Sequence, residues 1–171
     1  MQRPNENEYA PAYQSYVSHV TEDEILPAMR SQIDALDVLL DRVTPERETF
    51  AYAEGKWTIR QIIGHLMDGE RVFGYRVLCI ARGETQNLPS FDENEYMVNA
   101  PYENVELEDL LSEFRLVRLS TIAMLRTLDE TAWTRMGMAN GAPVSVRALA
   151  YIMVGHTRHH MGVLRKRYGL N

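Results

Sequence analysis

Apolar residues in this chain recur at three- and four-residue spacing in four stretches, roughly 25–43, 58–82, 106–128 and 145–168, and no stretch shows sustained alternation. The pattern predicts an all-α fold in which four helices of similar length pack as a bundle. In the first stretch Pro27 falls in the opening turn, where its missing N–H has no intrahelical partner, and Ile33, Leu36 and Leu40 form the inner stripe. The second opens on Thr58 and Gln61, the spacing of a capping box, and its stripe is Ile59, Ile62, Ile63, Leu66, Phe73 and Val77. The third presents Leu110, Leu111, Phe114, Thr121 and Leu125. Gly141 and Pro143 break the chain before the fourth, Ser145 caps it, Gly169 ends it, and Val146, Leu149, Ala150, Met153, Thr157 and Leu164 face inward.

Between the second and third stretches, residues 83–105 form a long connection containing Gly83, Pro89 and Pro101. Neighbouring helices in a bundle are usually joined by about 2–8 residues. At roughly 3.3 Å per residue this segment could run back along a whole helix, which would make the second and third helices parallel. It could also cover a site, and its FDENEY run supplies Asp92, Glu93 and Glu95 as candidate bases or substrate contacts and Tyr96 as a hydroxyl donor, against the alternative of a solvated acidic turn. Residues 1–20 are polar, rich in tyrosine and without period; they are read as an N-terminal arm that packs on a single domain at 21–171.

Composition narrows the function classes. With 24 acidic against 18 basic residues the net charge is −6, which opposes binding to a phosphate backbone. The basic run Arg165, Lys166 and Arg167 is read as a helix end, where cations are favoured. No apolar run approaches the ~20 residues that span a bilayer, and the first residues lack the apolar centre of a signal peptide. The single Cys79 allows no intrachain disulfide. These features lead to the expectation of a cytoplasmic protein with no nucleic-acid or membrane partner.

The candidate chemistry lies in the histidines. His156 and His160 stand at i and i+4, about 40° apart on the wheel, a spacing at which two imidazoles can ligate one ion, although an isolated pair is more often two hydrogen-bonded core-edge histidines. His65, at the flank of the second stripe, supplies a third candidate, and antiparallel packing of the two helices would bring all three level. His159 points roughly 100° away from His160 and is read as a supporting or surface residue. Thr157 stands where a zincin has glutamate, and Ile62 and Met153 stand where a di-iron bundle has glutamates, so a single-metal site is favoured. Cys79 lies roughly 21 Å along the helix from His65, too far to share an ion. Asp68, three residues after His65, is a candidate base or ligand-orienting group, or simply an exposed helix carboxylate. Glu70 and Arg118 each fall inside an apolar stripe, which predicts a buried ion pair between the second and third helices.

The segments GKWTIRQIIGHLMDGERVFGYRVLCIARGE at 55–84, LPSFDENEY at 88–96, EFRLVRLSTIAML at 113–125 and SVRALAYIMVGHTRHHMGVLRKRYG at 145–169 resemble the DinB/YfiT-like metalloproteins, in particular the DinB_2 branch. The resemblance implies an up-down-down-up four-helix bundle with a crossover after the second helix and a three-histidine metal site, whose positions fall on His65, His156 and His160. It also implies a homodimer. Members include thiol-dependent transferases and isomerases, proposed hydrolases and proteins of unknown activity. The expectation is therefore a metal-dependent enzyme, a transferase or hydrolase acting on a small molecule with a thiol among the candidate partners. The alternative is a non-catalytic metal-binding protein with a stress-related or sensing role. Imidazole ligands suit zinc or nickel, and also ferrous iron.

Overall fold

The computed structural model describes residues 2–171. Its frame is four long helices, α2 (Ile25–Leu40), α4 (Ile59–Ala81), α6 (Leu107–Leu125) and α8 (Val146–Tyr168), joined by short elements: α1 (Gln14–Ser18), α3 (Pro45–Glu48), α5 (Glu93–Asn99) and α7 (Glu130–Thr134). The predicted signals mark the ends. The Thr58 side chain accepts from the Gln61 N–H while the Gln61 side chain accepts from the Thr58 N–H. Ser145 accepts from the Ala148 N–H, and Gly169 closes α8 at a φ of 66°, a left-handed conformation that glycine adopts without a Cβ clash.

Residue pairs set the helix directions. Arg60 meets Glu106, Arg71 meets Glu113 and Gly74 faces Thr121, so α4 and α6 run parallel. Across α4 and α8, by contrast, Trp57 meets Tyr168 and Gly69 meets His156, so those two helices are antiparallel. The parallel arrangement is possible because residues 82–106 carry the chain back along the bundle. That return is ordered: it contains β1 (Asn87–Leu88), α5 and a 3-10 turn at Tyr102–Asn104. The Tyr102 ring lies so close to α4 that a Cβ at Gly64 would overlap it.

The all-α expectation needs one correction. Met136–Ala139 (β2) and Ala142–Ser145 (β3) form an antiparallel hairpin, with Met136 opposite Ser145, and β1 adds to it in parallel through Leu88 and Ala139. The strands are too short to show alternation, but their turn is encoded: Asn140 and Gly141 have φ of 53° and 72°, the two left-handed residues of a type I′ hairpin turn. Of the residues that read as a chain break, Gly141 thus lies in the hairpin turn and Pro143 in β3, opposite Met138.

A second difference concerns α8. Its apolar residues are buried nearly all round through Thr157, rather than along one stripe, because the N-terminal arm covers its outer face. A Cβ at Gly155 would overlap the backbone carbonyl of Tyr16. Glu8 accepts from Ser145 Oγ at 2.7 Å and from Arg147, while Arg3 donates to the carbonyls of Val17 and Val20 at 2.7 Å each. The Glu70–Arg118 pair joins α4 to α6 at 2.9 Å, with both side chains almost wholly buried. Arg118 also donates to Gln32 Oε1 at 2.7 Å and Thr157 Oγ1 at 2.9 Å, tying in α2 and α8. Burial pushes the Glu70 carboxyl up against the pull of Arg118. Among the described residues no helix is long and apolar enough to cross a membrane.

Candidate metal centre

The antiparallel register of α4 and α8 sets His65 level with His156 and His160. One ring nitrogen from each lies within 4.8 Å of the others, and the Nε2 atoms of His65 and His156 are 2.9 Å apart. A zinc ion at ~2.1 Å from each nitrogen would hold tetrahedral ligands roughly 3.4 Å apart, a value these separations bracket, so small ring rotations suffice. All three rings are at least nine-tenths buried. Burial holds His65 down to about 4 and His160 to about 3, and it keeps His156 well below the ordinary imidazole value, with repulsion from neighbouring histidines adding to each. The rings are therefore neutral at pH 7, the form that offers a lone pair to a metal. Donor set and electrostatics both fit a divalent cation.

Aromatic rings pack around the cluster. Trp57 lies 4.7 Å from His65 and 6.4 Å from His160 between ring centroids. On the other side of His156 stand Tyr16, at 5.4 Å, and Phe73, at 5.9 Å. Gly69 makes room for the imidazole, since a Cβ there would sit 3.0 Å from His156 Cε1. Two openings reach the histidines. A cavity of about 230 Å³ touches His160 and is lined by Trp57, Tyr52, Lys56 and Asn94; another of about 170 Å³ touches His65 and His156 and is lined by Arg76, Glu93, Phe91 and Asn140.

The other candidates are distributed unevenly. The FDENEY segment borders the site through Phe91, Glu93 and Asn94. Asp92, however, caps α5 by accepting from the Asn94 and Glu95 N–H groups, and Tyr96 is about half exposed and packs on Phe91 at 5.4 Å. Glu95 lies on the exposed side of the same helix. Asp68 is half-buried and bonded to the Tyr102 hydroxyl; burial pushes its carboxyl up despite that bond. That bond links α4 to the crossover. His159 is exposed, between Tyr16 and His19, and Cys79 packs against the core outside the histidine group.

Tyr16, Trp57, Arg76 and Asn140 border the site without having been singled out from the sequence. Arg76 stands three positions after Phe73 on α4, a charge beside that helix's apolar stripe. Tyr16 and Asn140 reach the site through the arm and the hairpin, which no period along the chain announces.

Comparison with known proteins accords with this geometry. A protein of Geobacillus thermodenitrificans named "Putative metal-dependent hydrolase" is 24% identical over 151 residues, covering 85% of each chain. Among solved structures, YfiT from Bacillus subtilis, described as "a probable metal-dependent hydrolase with an unusual four-helix bundle topology", matches with a TM-score of 0.72 at 18% identity, over 99% of this chain and 95% of that one. The mycothiol-dependent maleylpyruvate isomerase matches with a TM-score of 0.68 at 15% identity, over 85% of this chain and 61% of the other. At these identities the structural likenesses show a shared fold. The family model of the DinB superfamily matches residues 28–164, a span that holds all three buried histidines, and the chain belongs to that superfamily.

Proposed function

We propose that His65, His156 and His160 bind one divalent ion, zinc or nickel, and that the protein is a metal-dependent hydrolase of a small molecule. The observation that carries this reading is the convergence of three buried, neutral imidazoles from two helices, with cavities on two sides and no fourth His, Cys, Asp or Glu in the group among the described residues. Three protein ligands with room beside them suit catalysis better than a closed structural site. A divalent ion held by His65, His156 and His160 would supply Lewis acidity near neutral pH. The chain's own groups do the rest. Trp57, Phe73 and Tyr16 limit the water that reaches the histidines, and Glu93, on the His65 and His156 side, offers a carboxylate that can take up a proton.

The hydrolase name carried by the Geobacillus relative supports this assignment. Two separate cavities at one histidine cluster also suit a second reading, a thiol-dependent group transfer in which each substrate enters by its own side, and the fold likeness to the mycothiol-dependent isomerase supports it. The cavities weigh against a purely structural or sensing metal site.

Protein purified without a histidine tag and incubated with zinc or nickel is expected to hold one ion per chain by elemental analysis, and a variant with all three histidines changed to alanine to hold none. A panel of esters, amides and thioesters, assayed with and without chelator and added thiol, then separates the readings. Chelator-sensitive hydrolysis without thiol supports the hydrolase, whereas turnover only with thiol supports the transferase. Equal metal uptake by the triple variant would refute the site itself.

A further inference from the structure

Three arginines are buried among the described residues: Arg60, Arg76 and Arg118. Arg60 is paired with Glu48 and Glu106, and Arg118 with Glu70. Arg76, only 3% exposed, has no carboxylate partner among the described residues. Its Nη2 donates to the Pro89 carbonyl at 2.7 Å, and its guanidinium carbon lies 5.8 Å from the centre of the Phe73 ring. Most of its N–H donors are thus left without a protein acceptor. Among the described residues the sealed polar atoms without a partner are Glu70 Oε1 and Arg118 Nε, so the unpaired Arg76 nitrogens keep access to solvent from the cavity, and arginine remains charged at any physiological pH.

The location gives these unpaired donors a use. Arg76 lies three turns beyond His65 on α4 and forms part of the wall of the ~170 Å³ cavity that reaches His65 and His156. The Pro89 bond anchors one edge of the fork to the crossover, which orients the remaining donors. Tyr13, Tyr16, Phe73 and Phe91 line the same space. We propose that Arg76 is the binding residue for a carboxylate group on the substrate, and that the substrate is a small monoanionic acid whose apolar body lies between these rings with its reacting bond toward the histidines.

Size and charge choose this class. A cavity of ~150 Å³ is large enough for a benzene ring, so the space here suits a small organic acid. A planar carboxylate matches the guanidinium fork in a two-point contact. Glu93 stands in the same cavity and repels a second negative charge, which disfavours a phosphate monoester carrying about −1.5 to −2. The inference rests on the proposed metal centre only for the end of the cavity at which the reaction occurs; carboxylate recognition is a property of Arg76 itself.

The test measures binding of benzoate, its neutral isostere benzamide and inorganic phosphate by calorimetry, using both zinc-loaded and metal-free full-length protein. The expected result is that benzoate binds at least tenfold more tightly than benzamide or phosphate in the metal-free protein, and that Arg76→Met removes the preference in both forms without changing zinc content. Arg76→Lys retains the charge but not the fork and should fall between. Glu93→Gln, at an exposed position, should tighten benzoate severalfold, and it carries the test if Arg76→Met fails to fold. Equal benzoate binding by the wild type and a folded Arg76→Met would overturn the proposal, as would preference for phosphate, or unchanged benzoate affinity in Glu93→Gln should that variant have to carry the test. A protein that takes up no zinc yet prefers benzoate through Arg76 would fail the metal reading and keep this one. A zinc-binding protein indifferent to Arg76→Met would do the reverse.

Discussion

Replacing Glu70 by alanine tests whether the central ion pair organises the bundle. The perturbed contact is 2.9 Å long, and the two side chains are 2% and 1% exposed, so water screens it little. Removing one partner of such a pair leaves a buried charge and costs about 3–5 kcal/mol. The lower end of that range is expected here, because Arg118 keeps three neutral acceptors, Gln32 at 2.7 Å, Thr157 at 2.9 Å and the Met29 carbonyl at 3.5 Å. The pair itself is incompletely satisfied, since Glu70 Oε1 and Arg118 Nε have no hydrogen-bond partner. Exchanging both residues for apolar ones should therefore be milder than removing one. Denaturant melts are expected to show Glu70→Ala down by about 3 kcal/mol, with the double variant Glu70→Leu/Arg118→Met recovering most of it. Thr157, which accepts from Arg118, follows His156 directly, so the single variant should also bind zinc more weakly. A loss below about 1 kcal/mol in Glu70→Ala would refute the reasoning, because that is the size of an exposed pair.

Other consequences follow from particular contacts. Gly69→Ala places a Cβ 3.0 Å from the His156 ring, so zinc affinity should fall while the melting temperature holds or rises slightly from the helix-propensity gain; unchanged zinc affinity would show that the ring moves freely. Gly155→Ala must displace the arm at Tyr16, and about 1–3 kcal/mol of lost stability, with new proteolytic cleavage near residues 14–20, is expected. Burial works to raise the Glu8 carboxyl, but hydrogen bonds from Arg147, the Asn5 backbone and Ser145 outweigh it and hold it at about 2. Because this folded value lies below the unfolded one, the contribution, up to about 3 kcal/mol, is complete above roughly pH 4.5 and is lost as pH falls toward 2. Acid melts of Glu8→Gln should be flatter over that window than those of the wild type.

The sequence by itself determined what depends on neighbours along a helix. Period placed the four long helices to within a few residues at their ends, and the Thr58–Gln61 box, Ser145 and Gly169 marked boundaries because caps are local contacts. The same arithmetic put His156 and His160 on one face and set Glu70 and Arg118 inside apolar stripes, where each needed a partner. Tertiary structure decided what depends on residues far apart in the chain. The short hairpin has too few positions for a period, and Gly141 reads from the chain only as a break. That the arm covers α8 follows from the fit of Tyr16 against Gly155, a contact across 139 positions of sequence (155 − 16). Asp68 reads as a base or an exposed helix carboxylate, and only the crossover brings the Tyr102 hydroxyl to it. Arg76 looks like one more helix charge until the fold withholds a counter-charge and sets it in the same cavity wall as His65 and His156. Whether a charged side chain is satisfied is a property of its complete surroundings, and only the folded chain assembles them.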